Sequence, residues 1–196
     1  MEKKDFYNKY IEIFLEENSK VNLISKNDEK YLWEKHIYDS LSINLFFEKY
    51  GEQKTLLDIG TGGGFPAIPI ALTYKNIKVT AVDSIAKKIK AVTNIKEKLQ
   101  LDNLDPFCTR VENFKNTYDV VTSRAVSSLD KICEYALPKV KKNGYFVAYK
   151  SRKAPEEIEN ATKILKKHNS KIVDIIEYNL PLKENFTRNL IIIKKF

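Results

Sequence analysis

An α/β fold on a mostly parallel, doubly wound sheet is what this sequence predicts, and three observations carry the prediction. Short apolar runs alternate with stretches of helical period from residue 55 to residue 168, the order that crossover helices impose on a parallel sheet. Four of the six glycines, Gly60, Gly62, Gly63 and Gly64, stand directly behind the first apolar run, where a strand must turn tightly into a helix. Two β-rich runs, 171–178 and 189–194, are joined by a short polar loop and close the sheet as an antiparallel hairpin. Seven strands are expected, preceded by a helical extension.

Residues 2–17 place Phe6, Tyr10, Ile13 and Phe14 at helical spacing, an amphipathic helix with its stripe on the core. Residues 18–27 are polar and turn-prone, broken by Val21, Leu23 and Ile24. Asp28 reads as the N-cap of a helix carrying Tyr31, Leu32, Trp33, His36 and Ile37, and a further helical stretch runs through Leu41 and Phe46 to Tyr50, closed by Gly51. Residues 1–53 thus form the extension, and 54–196 the main domain. Strands follow at 55–59, 77–82, 104–108, 118–122 and 144–149, with helices at 65–74, 84–99, 129–137 and 155–168. No linker composition divides the chain.

Net charge is +8 and the isoelectric point about 9.2, which favours a polyanionic partner over an acidic small molecule. There is no apolar run near the length of a membrane span and no signal peptide pattern, so a cytoplasmic setting without a membrane partner is expected. Cys108 and Cys133 have no metal-type spacing; no metal site is expected, and both thiols read as small buried hydrophobes.

The glycine turn points to a nucleotide. A dinucleotide fingerprint counted from Gly60 would place its last glycine where Phe65 stands. The turn continues through Pro66, whose missing N–H offers nothing to a pyrophosphate. Asp58, Gly60, Gly62 and Gly64 instead fit the D-x-G-x-G-x-G pattern of S-adenosylmethionine (SAM) methyltransferases, whose ligand carries no phosphate. The second strand ends in Asp83, about 20 residues past Gly60, the offset at which a carboxylate accepts from ribose hydroxyls. An ordinary tight turn and a helix-terminal charge are the plainer readings of these residues. A closing antiparallel strand is typical of the class I SAM-dependent methyltransferase fold and foreign to dehydrogenases.

Eight segments in order resemble one family, the bacterial 16S rRNA guanine-N7 methyltransferases of the RsmG/GidB type. They are NLIS at 22–25, KHIYDSL at 35–41, DIGTGGGFPAIPIA at 58–71, VDSIAKKIKAV at 82–92, RVENF at 110–114, YDVVTSRAV at 118–126, LPKVKKNGYFVAYK at 137–150 and RNLIIIKK at 188–195. Ala67 stands where the family usually has a further glycine. The resemblance implies a guanine of the 530 loop of 16S rRNA as target, within the 30S subunit or an assembly intermediate, and SAM as cofactor. It also implies cofactor contacts at Gly60, Phe65, Asp83, Ser84, Ile85, Val111, Glu112 and Arg124, to which the glycine motif adds Asp58 and Gly62. A monomer is the simpler expectation.

Guanine N7 has a lone pair and no proton, so in-line attack on a sulfonium methyl needs no general base, and positioning becomes the main device. The loop after the fourth strand, Thr122-Ser123-Arg124-Ala125, lacks the N/D-P-P-Y pattern of exocyclic-amine methylases. Candidates for a catalytic part are Arg124, Lys150 and His36, with Arg124 able to grip a base edge, a phosphate or the cofactor carboxylate. The plainer reading of Arg124 is an ion pair with Asp58 or Asp83, and of His36 a packed helix-face histidine. Lys35, His36, Lys150, Arg152 and Lys153 are candidates to meet RNA, whereas Lys87, Lys88, Lys90, Lys96 and Lys98 read as a solvated face and Tyr31 and Trp33 as core. A SAM enzyme acting on a small molecule or a protein, and a dinucleotide-binding module, are the competing classes.

Overall fold

Alternation along β1 (Thr55–Ile59) sets the layering of the molecule. Leu56 enters one hydrophobic core and Leu57 and Ile59 a second, because successive strand side chains leave opposite faces. In the computed structural model, which describes residues 6–151, 154–183 and 186–196, the other strands are β2 (Lys78–Asp83), β3 (Leu104–Cys108), β4 (Tyr118–Arg124), β5 (Val140–Lys150), β6 (Ser170–Leu180) and β7 (Phe186–Lys195). Arg152 and Lys153 lie outside the described residues.

The sheet order is β3-β2-β1-β4-β5-β7-β6. Strands β1 to β5 run parallel, and β7 is inserted antiparallel between β5 and β6. The chain steps outward from β1 to β3 and returns to β4 on the other side of β1, so a crevice opens beyond the carboxyl ends of β1 and β4.

The first core receives Tyr10 and Phe14 of α1 (Asn8–Val21), Ile37 of a π-helical turn (Leu32–Tyr38) and Phe46 of α4 (Asn44–Tyr50). Between these lie two short helices, α2 (Lys26–Glu29) and α3 (Asp39–Leu41). On the same face pack α5 (Ala67–Thr73), buried from Ala67 through Ala71, and α6 (Ala86–Leu99). The second core receives Leu129 and Ile132 of α7 (Leu129–Ala136) and Leu165 of α8 (Ala154–Lys167). Residues of the N-terminal helices therefore share a core with the sheet. A buried carboxylate fastens them: Glu17, 2 % exposed, meets Lys98 at 3.3 Å and Asn94 at 3.0 Å on α6.

Several boundaries differ from the sequence reading. The first helix continues through Val21, and the supposed turn residue Asn18 is buried, its Oδ1 accepting the Ile24 N–H at 2.8 Å. The N-cap ahead of the aromatic stretch is Ser25, whose hydroxyl accepts from the Asp28 N–H; Asp28 is the third residue of the turn, and its Oδ2 accepts from the Ser25 hydroxyl at 2.8 Å. The 32–38 stretch winds as a π turn although its apolar spacing predicts an α-helix. β4 and β5 run past their predicted ends because pairing with neighbours extends them beyond their apolar runs. Cys133 is buried as expected, which pushes its thiol up to about 12, but Cys108 is exposed at the end of an edge strand that buries only its first residue. Tyr31 is half-buried beneath the Lys30 and Lys35 ammoniums instead of entering the core.

Candidate active site

Two clefts open beyond the carboxyl ends of the strands and share a wall. One, of about 530 Å³, is lined by Gly60, Gly62, Asp83, Ser84, Ile85, Val111, Glu112 and Arg124, with Thr109, Arg110 and Tyr135. The other, of about 760 Å³, lies toward the N-terminal helices, with His36, Asp39, Phe65, Tyr149, Lys150 and Arg188 among its lining. Gly60, Gly62, Lys88, Arg124, Ala125 and Val126 line both.

The glycine loop forms that wall because three of its residues take the left-handed backbone, with φ of +68° at Gly60, +56° at Gly62 and +89° at Gly64. A Cβ at Gly64 would stand 2.3 Å from Ile68 Cδ1, and one at Gly60 2.5 Å from Val126 Cγ2. The loop also consumes its own donors. The Gly60 and Thr61 N–H groups bind Val82 O at 2.8 and 3.0 Å, and those of Gly64 and Phe65 bind Thr61 O at 2.8 and 3.0 Å. The Gly62 N–H goes to Asp83 Oδ2 at 2.9 Å. A pyrophosphate would need groups of this kind, and five of them are already engaged by the protein.

Asp83 also accepts the Ile85 N–H on Oδ1 at 2.9 Å. Each oxygen then retains acceptor capacity on a carboxylate lining the cleft, which is what ribose hydroxyls require. Val111 and Glu112, in a single 3₁₀ turn, form the far end of the cleft. Asp58 lies fully buried behind the loop and lines neither cleft; burial pushes its carboxyl up to about 7, only partly offset by hydroxyls such as that of Thr122, 3.0 Å from Oδ1. Phe65 is buried on the side of the second cleft, under the Arg124 guanidinium at 5.2 Å.

In the second cleft the carboxylates are engaged. Asp28 pairs with Lys35 at 2.8 Å, Asp39 with Arg124 at 2.9 Å and Glu157 with Lys150 at 2.6 Å. The Lys150 ammonium also donates to Ser127 O at 2.6 Å. Arg124 pairs with neither Asp58 nor Asp83 but with Asp39, a residue of KHIYDSL that spacing alone gives no reason to single out. His36 lies tilted against Phe65, 5.1 Å between centroids, and its Nδ1 faces Arg124 Nη2 at 3.1 Å. Burial first and the Arg124 charge second push the imidazole down to about 4. Of the lysine-rich α6, Lys98 binds Glu16 and Lys96 lies 3.6 Å from Asp105, while Lys88 turns toward both clefts, against the expectation of a solvated face. Among the described residues no group of three or more His, Cys, Asp and Glu gathers as for a metal, and no helix is long and apolar enough to cross a membrane.

A seven-stranded sheet of this order with β7 reversed, carrying a glycine-lined cleft with a carboxylate at the end of β2, defines a class I SAM-dependent methyltransferase, and SAM is its cofactor. Solved structures agree on the fold. The N-methyltransferase NodS of Bradyrhizobium japonicum, solved with S-adenosylhomocysteine, superposes with a TM-score of 0.64 at 12% identity over 88% of this chain and 94% of that one. M. jannaschii TYW2 in complex with AdoMet gives 0.61 at 16% identity over 81% and 75%. The chain belongs to the family described as GidB, rRNA small subunit methyltransferase G, whose family model matches residues 3–190. Ribosomal RNA small subunit methyltransferase G of Bacillus licheniformis is 40% identical over 95% of this chain and 80% of its own length, and that of Bacillus subtilis 37% identical over the same shares.

Proposed function

We propose that the chain methylates N7 of a guanine in the 530 loop of 16S rRNA, acting as a cytoplasmic monomer on the 30S subunit or an assembly intermediate. The smaller cleft holds the cofactor through Gly60, Gly62, Asp83, Ser84, Ile85, Val111, Glu112 and Arg124; Asp58 supports the loop from behind and Phe65 underlies Arg124. The cofactor, when bound, supplies an electrophilic methyl group on a sulfonium. The larger cleft receives the purine.

The observation that carries this reading is the absence of a free base around the second cleft. Among the described residues lining it, Asp28, Asp39 and Glu157 are each held by a cation. The remaining titratable group of suitable kind, His36, is turned by Nδ1 to an arginine donor, and its depressed pKa makes it a weak proton acceptor at neutral pH. An exocyclic amine or a hydroxyl must shed a proton during methylation, whereas a ring nitrogen brings its own lone pair. What the chain supplies is orientation in a site walled by Arg124 and rimmed by Lys88 and Arg188. The net charge of +8 supports a polyanionic substrate.

The test is transfer of a tritiated methyl group to undermodified 30S subunits, naked 16S rRNA and total protein, followed by mapping of the labelled base. Label at guanine N7 within the 530 loop is expected. Label on an exocyclic amine, or on protein alone, would overturn the reading.

A further inference from the structure

The wall between the clefts is gripped from the N-terminal helices. Arg124 Nη1 donates to Asp39 Oδ2 at 2.9 Å and to Lys35 O at 3.1 Å. Its Nη2 meets His36 Nδ1 at 3.1 Å. An arginine has only donors, so Nδ1 accepts and the imidazole is neutral with its proton on Nε2; the depressed pKa of His36 agrees. All three acceptors come from the π turn and the residue that follows it, and the Lys35 carbonyl is bound in that turn by a side chain from β4.

Asp39 is itself over-determined. It is 4 % exposed, and its second oxygen accepts from the Tyr178 hydroxyl at 2.7 Å. The neighbouring Ser40 carbonyl is fixed by the Tyr149 hydroxyl at 2.7 Å. A carboxylate so placed, held by Tyr178 on one oxygen and by Arg124 on the other, has one geometry against the guanidinium. Three of the five Arg124 hydrogens are thereby consumed, and one on Nη2 and that on Nε remain, on a side chain bordering both clefts. A guanidinium at this position needs a counter-charge, because a sulfonium cofactor and an N7-methylated purine both bring positive charge to the junction.

We propose that Asp39, carried by the N-terminal helical segment, is a positioning residue for methyl transfer that acts through Arg124: it aims the two remaining donors into the junction of the clefts and balances the guanidinium there, with neutral His36 as the second acceptor. The inference rests on the reading that the two clefts hold the methyl donor and the purine. It makes the helical segment part of the site, so the sheet domain by itself would present Arg124 unaimed.

A double-mutant cycle on the full chain tests it, with SAM affinity read by calorimetry, kcat and KM on 30S subunits, and melting temperature. Asp39→Asn is expected to weaken SAM binding and to lower kcat by about tenfold each, with KM for RNA within about threefold of wild type. In an Arg124→Ala background the same substitution is expected to change neither quantity more than about twofold, because its effect runs through the missing side chain. Wild-type SAM affinity and kcat in Asp39→Asn would overturn the proposal, and so would an undiminished effect in the Arg124→Ala background, which marks a general structural role. Should Asp39→Asn fail to fold, Tyr178→Phe loosens Asp39 from behind and carries the same cycle; an effect of about threefold that vanishes without Arg124 is expected, and one that persists sinks the idea. Label on a base atom other than guanine N7 in the wild-type control would fail the functional reading, while the cycle still reports whether Asp39 works through Arg124.

Discussion

The two clefts stand on opposite sides of one loop and are built by opposite means. The smaller cleft rests largely on backbone: Gly60 and Gly62 with positive φ, loop N–H groups bound to Val82 O and to Asp83 of β2, and the ends of β1, β2 and β3 in register. The second cleft is made of side chains drawn from the N-terminal helices, β4, β5, α8 and β7, fastened by the pairs Asp39–Arg124, Glu157–Lys150 and Asp28–Lys35. A turn that must serve one ligand shape is best fixed by backbone, which has few conformations. A surface for a large, charged substrate is best fixed by ion pairs, which hold long side chains in place and still leave donors free.

The largest expected effect concerns what lies beneath the glycine loop. Asp58 is buried with its pKa raised to about 7, so its contribution to stability is full below the unfolded carboxylate value near 3.8 and is lost as pH rises through 7. Relative to wild type, Asp58→Asn should therefore gain roughly 4 kcal/mol of stability between pH 4 and pH 8, measured as the difference of two denaturant-unfolding series. A pH-independent difference would mean that the carboxyl titrates normally. His36, with its pKa lowered to about 4, contributes with the opposite sign. Its stabilising term is present above pH 6.5 and is lost as pH falls toward 4, so the variant profile should show the His36 slope unmasked.

Next in size is the backbone of the loop itself. Gly64→Ala forces a Cβ to within 2.3 Å of Ile68 Cδ1 at a φ of +89° and should cost about 3 kcal/mol of unfolding free energy. An unchanged denaturation midpoint would show that the turn relaxes freely. Asp83→Ala removes the proposed ribose acceptor together with the carboxylate that binds the Gly62 and Ile85 N–H groups, and SAM affinity by calorimetry should fall by about 1.5 to 3 kcal/mol. Equal affinity would take Asp83 out of the site.

The smallest effects sharpen the side-chain cleft. Lys150 is only 10 % exposed and already bound to Glu157 and Ser127 O, so Lys150→Ala should leave the salt dependence of RNA binding unchanged. Arg188, in the same lining without an ion pair among the described contacts, should flatten the log–log slope by about one unit when changed to Ala. The reverse pattern would show that the Lys150 pair opens when RNA docks.

How far the chain could be read follows from the same division. The strand-glycine-helix turn, Asp83 at the end of β2, and Val111 and Glu112 after β3 were legible because each depends on short-range spacing, and eight of the ten residues expected to hold the cofactor line one cleft. Asp58 carries the pattern of the motif but is fully buried and lines neither cleft, and Phe65 lines the larger cleft instead of the smaller, since a buried carboxyl and a packed ring leave the same trace in a sequence as contacts do. Lys88 and Asp39 went unread for a related reason: a lysine on a charged helix and an aspartate in a helical run look like solvated residues until the fold supplies their neighbours.

By itself, then, the amino-acid order determined the alternating sheet, the reversed closing strand, the glycine turn behind β1 and the basic character of the molecule, all consequences of local backbone preference and composition. Only the tertiary structure decided that Arg124 answers to Asp39 and His36, that Lys150 is already occupied, and that the N-terminal helices complete the second cleft. The Arg124 contacts join residues more than eighty positions apart along the chain, and no local preference of the backbone encodes which distant side chain will be waiting there.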